Sequence, residues 1–169
     1  MIDESAFKAF YNRTKVSLWQ YLARLTMDDA LADDMFQEAY IRFIQNTVDG
    51  KSEAQMKSYL FQIATNCLRD HWRVEKRSRK WIQDARDASP RTDDPVELRH
   101  DLGRAMDLLS HQQRSLLWLA YAEGYEHAEI AQILRLRTKS VKVLLFRAKK
   151  KLAEIFIQLG ITDDENRRM

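Results

Sequence analysis

The chain is poor in the residues that break or staple a fold. Its 169 residues include two prolines, four glycines and one cysteine. A single thiol, Cys67, closes no internal disulfide, which excludes a cross-linked secreted scaffold. Long period-two runs rich in Val, Ile and Thr are missing as well, so strands have little support. No apolar stretch approaches the roughly eighteen residues of a membrane span. The opening MIDESAFKAF has acids where a secretion signal carries cations, and no apolar segment follows it. The expectation is a cytoplasmic, all-helical protein that does not insert into membranes. Histidine is also scarce: His71, His100, His111 and His127 fall at no paired ligand spacing, and neither a phosphate loop nor a cysteine cluster occurs. These absences argue against an enzyme, a metal site or a bound cofactor.

What the chain does have is apolar residues at helical spacing. They make up 45% of it, enough to build cores. Phe7, Phe10, Tyr11, Leu18, Tyr21, Leu22 and Leu25 predict a first helix over 4–26. Asp28 or Asp29 can cap a second, which buries Met35, Phe36, Ala39, Tyr40, Phe43 and Ile44 and ends in the loop NTVDGKSE, where Gly50 supplies a turn. A third starts near Glu53. It buries Met56, Tyr59, Leu60, Ile63, Ala64, Cys67 and Leu68 and continues toward His71 and Trp72, ahead of the basic run RVEKRSRK. Residues 84–95, DARDASPRTDDP, hold both prolines and little to bury, the composition of a flexible connector. The chain therefore divides into a domain over 1–83 and another over 96–169. In the second, VELRHDLGRAMDLL reads as a helix, Ser110 and Gln113 form a capping box for another that stops at Gly124, and two shorter helices follow.

Charge is laid out in blocks. Residues 41–83 carry 9 Lys or Arg against 4 Asp or Glu, and residues 130–153 carry 8 against 0. The segments before each are acidic, 4 against 7 over 1–40 and 5 against 10 over 84–129. Separated basic blocks suit a polyanion held in two places, and the acidic ones suit a basic protein; solvated helix faces would give the same pattern. Within the second basic block, HAEIAQILRLRTKSVKVLLF at residues 127–146 fits a helix-turn-helix. Ala131 lets the two helices approach, and Ile130, Leu134, Leu136, Val141 and Leu144 or Leu145 form their shared core. Arg135 occupies the turn position where glycine avoids the cost of a left-handed conformation, and Thr138 can cap the recognition helix. Val141, Leu145, Ala148 and Leu152 share one face, which leaves Lys139, Lys142, Arg147 and Lys150 projecting elsewhere. Val143 and Phe146 also lie off that seam. They could touch thymine methyls, pack on a partner, or be ordinary exposed apolar residues. A helical hairpin with a solvated basic face is the structural alternative for the whole segment.

Three segments carry a family resemblance. LADDMFQEAYIRF at 31–43 resembles the segment that sigma factors dock on RNA polymerase. SYLFQIATNCLRDHWRVEKR at 58–77 resembles their promoter-opening helix, with Asn66, Asp70 and Arg73 on its Asn-x-x-x-Asp-x-x-Arg pattern. LLSHQQRSLLWLAYAEGYEHAEIAQIL, running on into SVKVLLFRAKKKL, resembles the last sigma domain. With only these two parts, the chain looks like a bacterial extracytoplasmic-function sigma factor. The resemblance implies an all-α protein of two small helical domains joined by a flexible linker, the second containing the helix-turn-helix. It implies polymerase docking through Asp33, Asp34, Gln37 and Glu38. For the minus-ten element it implies Phe61, Asn66, Arg69, Asp70, Arg73, Lys76 and Arg77, with a flipped base read by the 46–52 loop. For the minus-thirty-five element it implies Arg137, Thr138, Lys139, Ser140, Lys142, Val143 and Arg147. The partners implied are core RNA polymerase, promoter DNA as duplex and melted strand, and an inhibitory anti-sigma factor, with the free chain a monomer.

The residues support parts of this independently. Asp33 and Asp34 near a helix start gain about 0.3–1 kcal/mol each from the macrodipole alone, but Gln37 and Glu38 lie deeper and do not. Asn66, Arg69, Arg73 and Lys76 fall at steps of three or four, so one face offers an amide and three cations. Trp72 and Trp81 read as packing residues. Two rivals stay open on the residues alone: a helix-turn-helix regulator that acts without polymerase, and a sigma-like decoy that binds but opens no promoter.

Overall fold

The computed structural model describes residues 2–46, 49–79 and 97–161. These form seven α-helices: α1 (Glu4–Thr26), α2 (Asp29–Gln45), α3 (Glu53–Arg79), α4 (Glu97–Asp107), α5 (His111–Leu117), α6 (His127–Leu134) and α7 (Thr138–Gln158). There is no strand among the described residues. The connector at 84–95, Trp81 and the domain boundaries at 83/84 and 95/96 lie outside them.

Helix starts follow local chemistry. The Asp28 carboxylate accepts from Leu31 N at 3.2 Å, and Ser110 and Gln113 form the reciprocal box at 3.2 and 3.0 Å. A second such box, Ser52 with Gln55, opens α3. Gly50 and Gly124 take φ of 77° and 70° at turns that a side chain would strain. The third helix does not stop before the basic run: it continues through it to Arg79. Lys and Arg are good helix formers, and nothing in residues 73–79 breaks the ladder.

The first three helices pack around Phe10, Leu18, Tyr21, Leu22, Phe43, Leu60 and Leu68, with Phe10 stacked on Phe43 at 5.0 Å. Tyr40, held by Thr14 at 2.7 Å, and Tyr21, held by Thr65 at 2.8 Å, satisfy their hydroxyls inside this core. Ile44, expected in the core, is instead 47% exposed, because it falls just outside the stripe of Ala32, Ala39, Tyr40 and Phe43. A smaller cluster joins α4, α5 and α7 through Ala105, Met106, Leu109, Leu117, Ala148 and Ile155.

The two halves also pack on each other. One apolar cluster runs from Phe10 through Phe61 to Ile130, Val141 and Leu145, and Tyr125 meets Phe61 edge-on at 5.8 Å. What brings Tyr125 there is a π-helical turn, Trp118–Ala122, that prolongs α5: Glu123 N donates to Trp118 O at 3.0 Å, five residues back. Sequence periodicity foresaw neither the turn nor the contact.

Candidate polymerase and nucleic-acid interfaces

The inward stripe of α2 leaves Asp33, Asp34 and Gln37 exposed on the opposite face and Glu38 half-buried. Trp19 of α1 donates its Nε1–H to Asp33 Oδ1 at 2.7 Å, which fixes that carboxylate at the surface. Glu38 accepts from Arg42 Nε at 2.6 Å, Arg42 Nη1 lies 3.6 Å from Asp70 on α3, and Asp70 lies 3.8 Å from Arg73. Glu38 on α2 and Arg73 on α3 thus belong to one line of alternating charge. Arg42 is the link that sequence reasoning missed; its only signal was the i+4 spacing from Glu38. The bond to Glu38 raises the basicity of Arg42, and burial pushes the Cys67 thiol up. A shallow depression of about 400 Å³ sits along this line, walled by Asp34, Met35, Glu38, Arg42, Cys67, Asp70, His71 and Val74.

On α3 the expected minus-ten residues divide into three groups. Arg73, Lys76 and Arg77 are exposed, and Asp70 is exposed but engaged by two arginines. Asn66 and Arg69 are half-buried, and Arg69 faces the other half. Asn66 Oδ1 is buried without a hydrogen-bond partner, and Arg69 Nη2 donates to Leu134 O at 2.6 Å, the last carbonyl of α6. Phe61 is the exception that the structure corrects. It is fully buried between Tyr21 and Tyr125, so it packs the core and offers no ring to a base. Trp72 packs as expected, its ring stacked on His111 at 3.6 Å.

Arg69 has a counterpart running the other way. Arg114 of α5, 8% exposed, donates to Leu25 O at 3.0 Å, in the last turn of α1, and also to Leu109 O and Asp107 O at 3.2 and 3.1 Å. Each half therefore places a guanidinium on carbonyls that end a helix of the other, where the helix dipole favours a cation. Lys57 and Glu123 add an ion pair at 3.3 Å across the same seam. Burial, then the Arg114 charge, holds His111 below the usual imidazole range.

In the helix-turn-helix, Ile130, Ala131, Ile133, Leu134, Val141 and Leu145 are buried and lock α6 to α7. Arg135 takes the left-handed conformation, φ 54° and ψ 46°, that its place in the turn requires. Arg137, not Thr138, is the cap residue of α7; Thr138 is already helical, and no side chain caps the start. Arg137, Thr138, Lys139, Lys142, Val143 and Arg147 are exposed and Ser140 is half-buried. No acid occurs in α7 before Glu154.

Two family models match in chain order: sigma-70 region 2 over residues 10–78 and sigma-70 region 4 over residues 99–152. The chain is an extracytoplasmic-function member of the sigma-70 family. It is an RNA polymerase sigma factor for promoter recognition, and so a non-enzymatic initiation factor. Among its relatives, the sigma factor SigL of Mycobacterium tuberculosis is 28% identical over 166 residues, covering 95% of this chain and 94% of SigL. SigX of Bacillus subtilis is 28% identical over 180 residues, covering 97% and 91%. Two solved structures share the fold. The sigma factor RpoE of Bartonella quintana, in complex with the anti-sigma factor NepR, has a TM-score of 0.73 at 21% identity, covering 89% of this sigma factor and 96% of RpoE. CnrH, in complex with the cytosolic domain of CnrY, has a TM-score of 0.68 at 20% identity, covering 92% and 90%. Among the described residues of this sigma factor, no helix is long and apolar enough to cross a membrane.

Proposed function

We propose that this sigma factor divides its work between a first domain, residues 1–83, and a second, residues 96–169, linked by 84–95. The first domain docks on core polymerase through Asp33, Asp34, Gln37 and Glu38 and captures the melted minus-ten strand with Asn66, Arg69, Arg73, Lys76 and Arg77. Asp70 orients Arg42 and Arg73 beside that face. The second domain holds the minus-thirty-five duplex through α7, with Arg137, Lys139, Lys142 and Arg147 on phosphates and base edges. The observation that carries this reading is the line Glu38–Arg42–Asp70–Arg73, which runs from the acidic α2 face straight to the cationic α3 face. Binding polymerase at one end of such a line brings the other end to DNA.

The setting is the cytoplasm, where the polymerase works. The Bartonella quintana neighbour is held by an anti-sigma factor, and we extend that class of partner to this chain. Run-off transcription from a promoter library with core polymerase tests the division of labour. Asp34→Lys is expected to lose polymerase affinity, because it reverses a charge on the docking face. Asn66→Ala is expected to keep that affinity but open promoters poorly. Unchanged output from both variants removes these assignments. A regulator acting alone would ignore core polymerase in a titration, and a decoy would bind it without directing transcripts.

A further inference from the structure

We propose that Val143 and Phe146 form a thymine-reading patch on α7, contacting the 5-methyl groups of thymines in the upstream promoter duplex. The proposal rests on the reading of α7 as the duplex-binding helix and adds the chemistry of its specificity. Val143 is 49% and Phe146 68% exposed. At about 100° per residue the two project roughly 60° apart, on the side of the helix opposite the buried Val141, Leu145 and Ala148. Lys139 precedes them on the same face, Lys150 follows one turn on, and Lys142 flanks them, all three exposed. An apolar pair with ammonium groups before it, after it and along one flank, and the exposed Arg147 on the other, matches one kind of surface well. The major groove has phosphates along both walls and, on its floor, thymine methyl groups among polar base edges.

Base chemistry narrows the choice further. Guanine, adenine and cytosine present donors and acceptors in the major groove that an isopropyl or phenyl group covers without satisfying, which costs free energy. Thymine alone presents a methyl group. Val143 also lies within the first two turns of α7, the part of a recognition helix that reaches base edges. A partner protein would need an apolar knob inside an acidic ring to fit the same patch; DNA supplies that arrangement wherever thymine occurs.

The test uses holoenzyme assembled from the full chain and core polymerase, with a promoter duplex selected from a random library. Each upstream thymine is replaced in turn by deoxyuridine, which lacks only the methyl group. At one or two positions binding is expected to weaken about three- to fourfold, the effect of uncovering one buried methyl. V143A should erase the difference between thymine and deoxyuridine at one of these positions, V143I should keep it, and F146A should erase it at a neighbouring one. K142A should weaken both duplexes alike. Three results overturn the patch: a selected element without upstream thymines, deoxyuridine duplexes that all bind like the parent, or V143A weakening both forms equally. Failure of the underlying reading looks different, since no holoenzyme would then start RNA at a defined site with either base, and the proposal would fall with it.

Discussion

Helices α3 and α7 each carry a row of cations away from their buried stripe, but the rows are not equally accessible. Along α7, Arg137, Lys139, Lys142, Arg147 and Lys150 are all exposed. Along α3 the row is open only at its far end, at Arg73, Lys76 and Arg77. Its near end is closed off: Arg69 serves the Leu134 carbonyl and Trp72 lies on His111, both across the seam, and Asn66 Oδ1 is buried. A guanidinium directed at that carbonyl is not directed at a phosphate. In our reading the duplex-facing cations of α7 are open while the halves are closed, whereas Arg69, proposed as a strand contact, is freed from the Leu134 carbonyl only when they part.

The sharpest way to break the contrast is Arg114→Ala. It removes a donor from three carbonyls at once, Leu25, Leu109 and Asp107; Leu25 O keeps His111, while a buried carbonyl left unpaired costs about 1–3 kcal/mol. A loss of about 3 kcal/mol or more in urea unfolding is expected, with little recovery in Arg114→Lys, whose point charge cannot fork to the same acceptors. A loss below about 1 kcal/mol would show that the apolar seam alone holds the halves.

A smaller effect is expected from Arg69→Ala. It removes one charge-assisted bond, about 1.5–3 kcal/mol, half-exposed and so toward the low end. Faster amide exchange should appear around Leu134–Arg137 while the α1–α2–α3 core keeps its protection. In holoenzyme the same variant should open promoters less well, since Arg69 is also a strand contact in our reading. Unchanged exchange would mean that the carbonyl bond contributes nothing to closure.

The mildest effect comes from pH. The neutral form of His111 is favoured when the halves are packed, because burial and Arg114 lower its proton affinity below the ordinary 6.5; Leu25 O and Glu75 oppose them. A base with a depressed packed-state pKa binds more protons once exposed, so its contribution to closure is complete above pH 6.5 and is lost as pH falls through the lowered value. Small-angle scattering between pH 7.5 and 5 should show the halves separating more readily at the acid end, and His111→Phe should flatten that dependence. A variant profile that follows the parent would assign the pH response to another group.

How much of this was legible beforehand depended on whether the cause was local. The boundaries of α1 and α2, the box at Ser110, the left-handed Arg135 and the buried seam of α7 all follow from neighbours within a few residues, and periodicity or cap chemistry exposes such causes. Phe61 misled because α3 is covered on two sides, by α1 and by the second half; a residue off the main stripe then still lies in a core. Thr138 misled by one position, within the usual uncertainty of helix ends. The packing of the halves was invisible for a different reason. It depends on Tyr125 meeting Phe61 and on Arg69 and Arg114 meeting carbonyls 65 and 89 residues away, and carbonyls have no side-chain signature. The alternating line through Arg42 was half visible, as an i+4 pair without its continuation onto α3.

The widened turn at Trp118–Ala122 has a mechanical consequence. A spare residue taken up as a bulge is absorbed where it occurs, and the backbone beyond it is rotated by about 100° relative to an unbroken spiral. Tyr125 owes its heading to that offset. Deleting a single position there would leave the winding tidier and swing the aromatic hinge-pin off its seat, so the irregular coil acts as the washer that sets the fit between the two blocks.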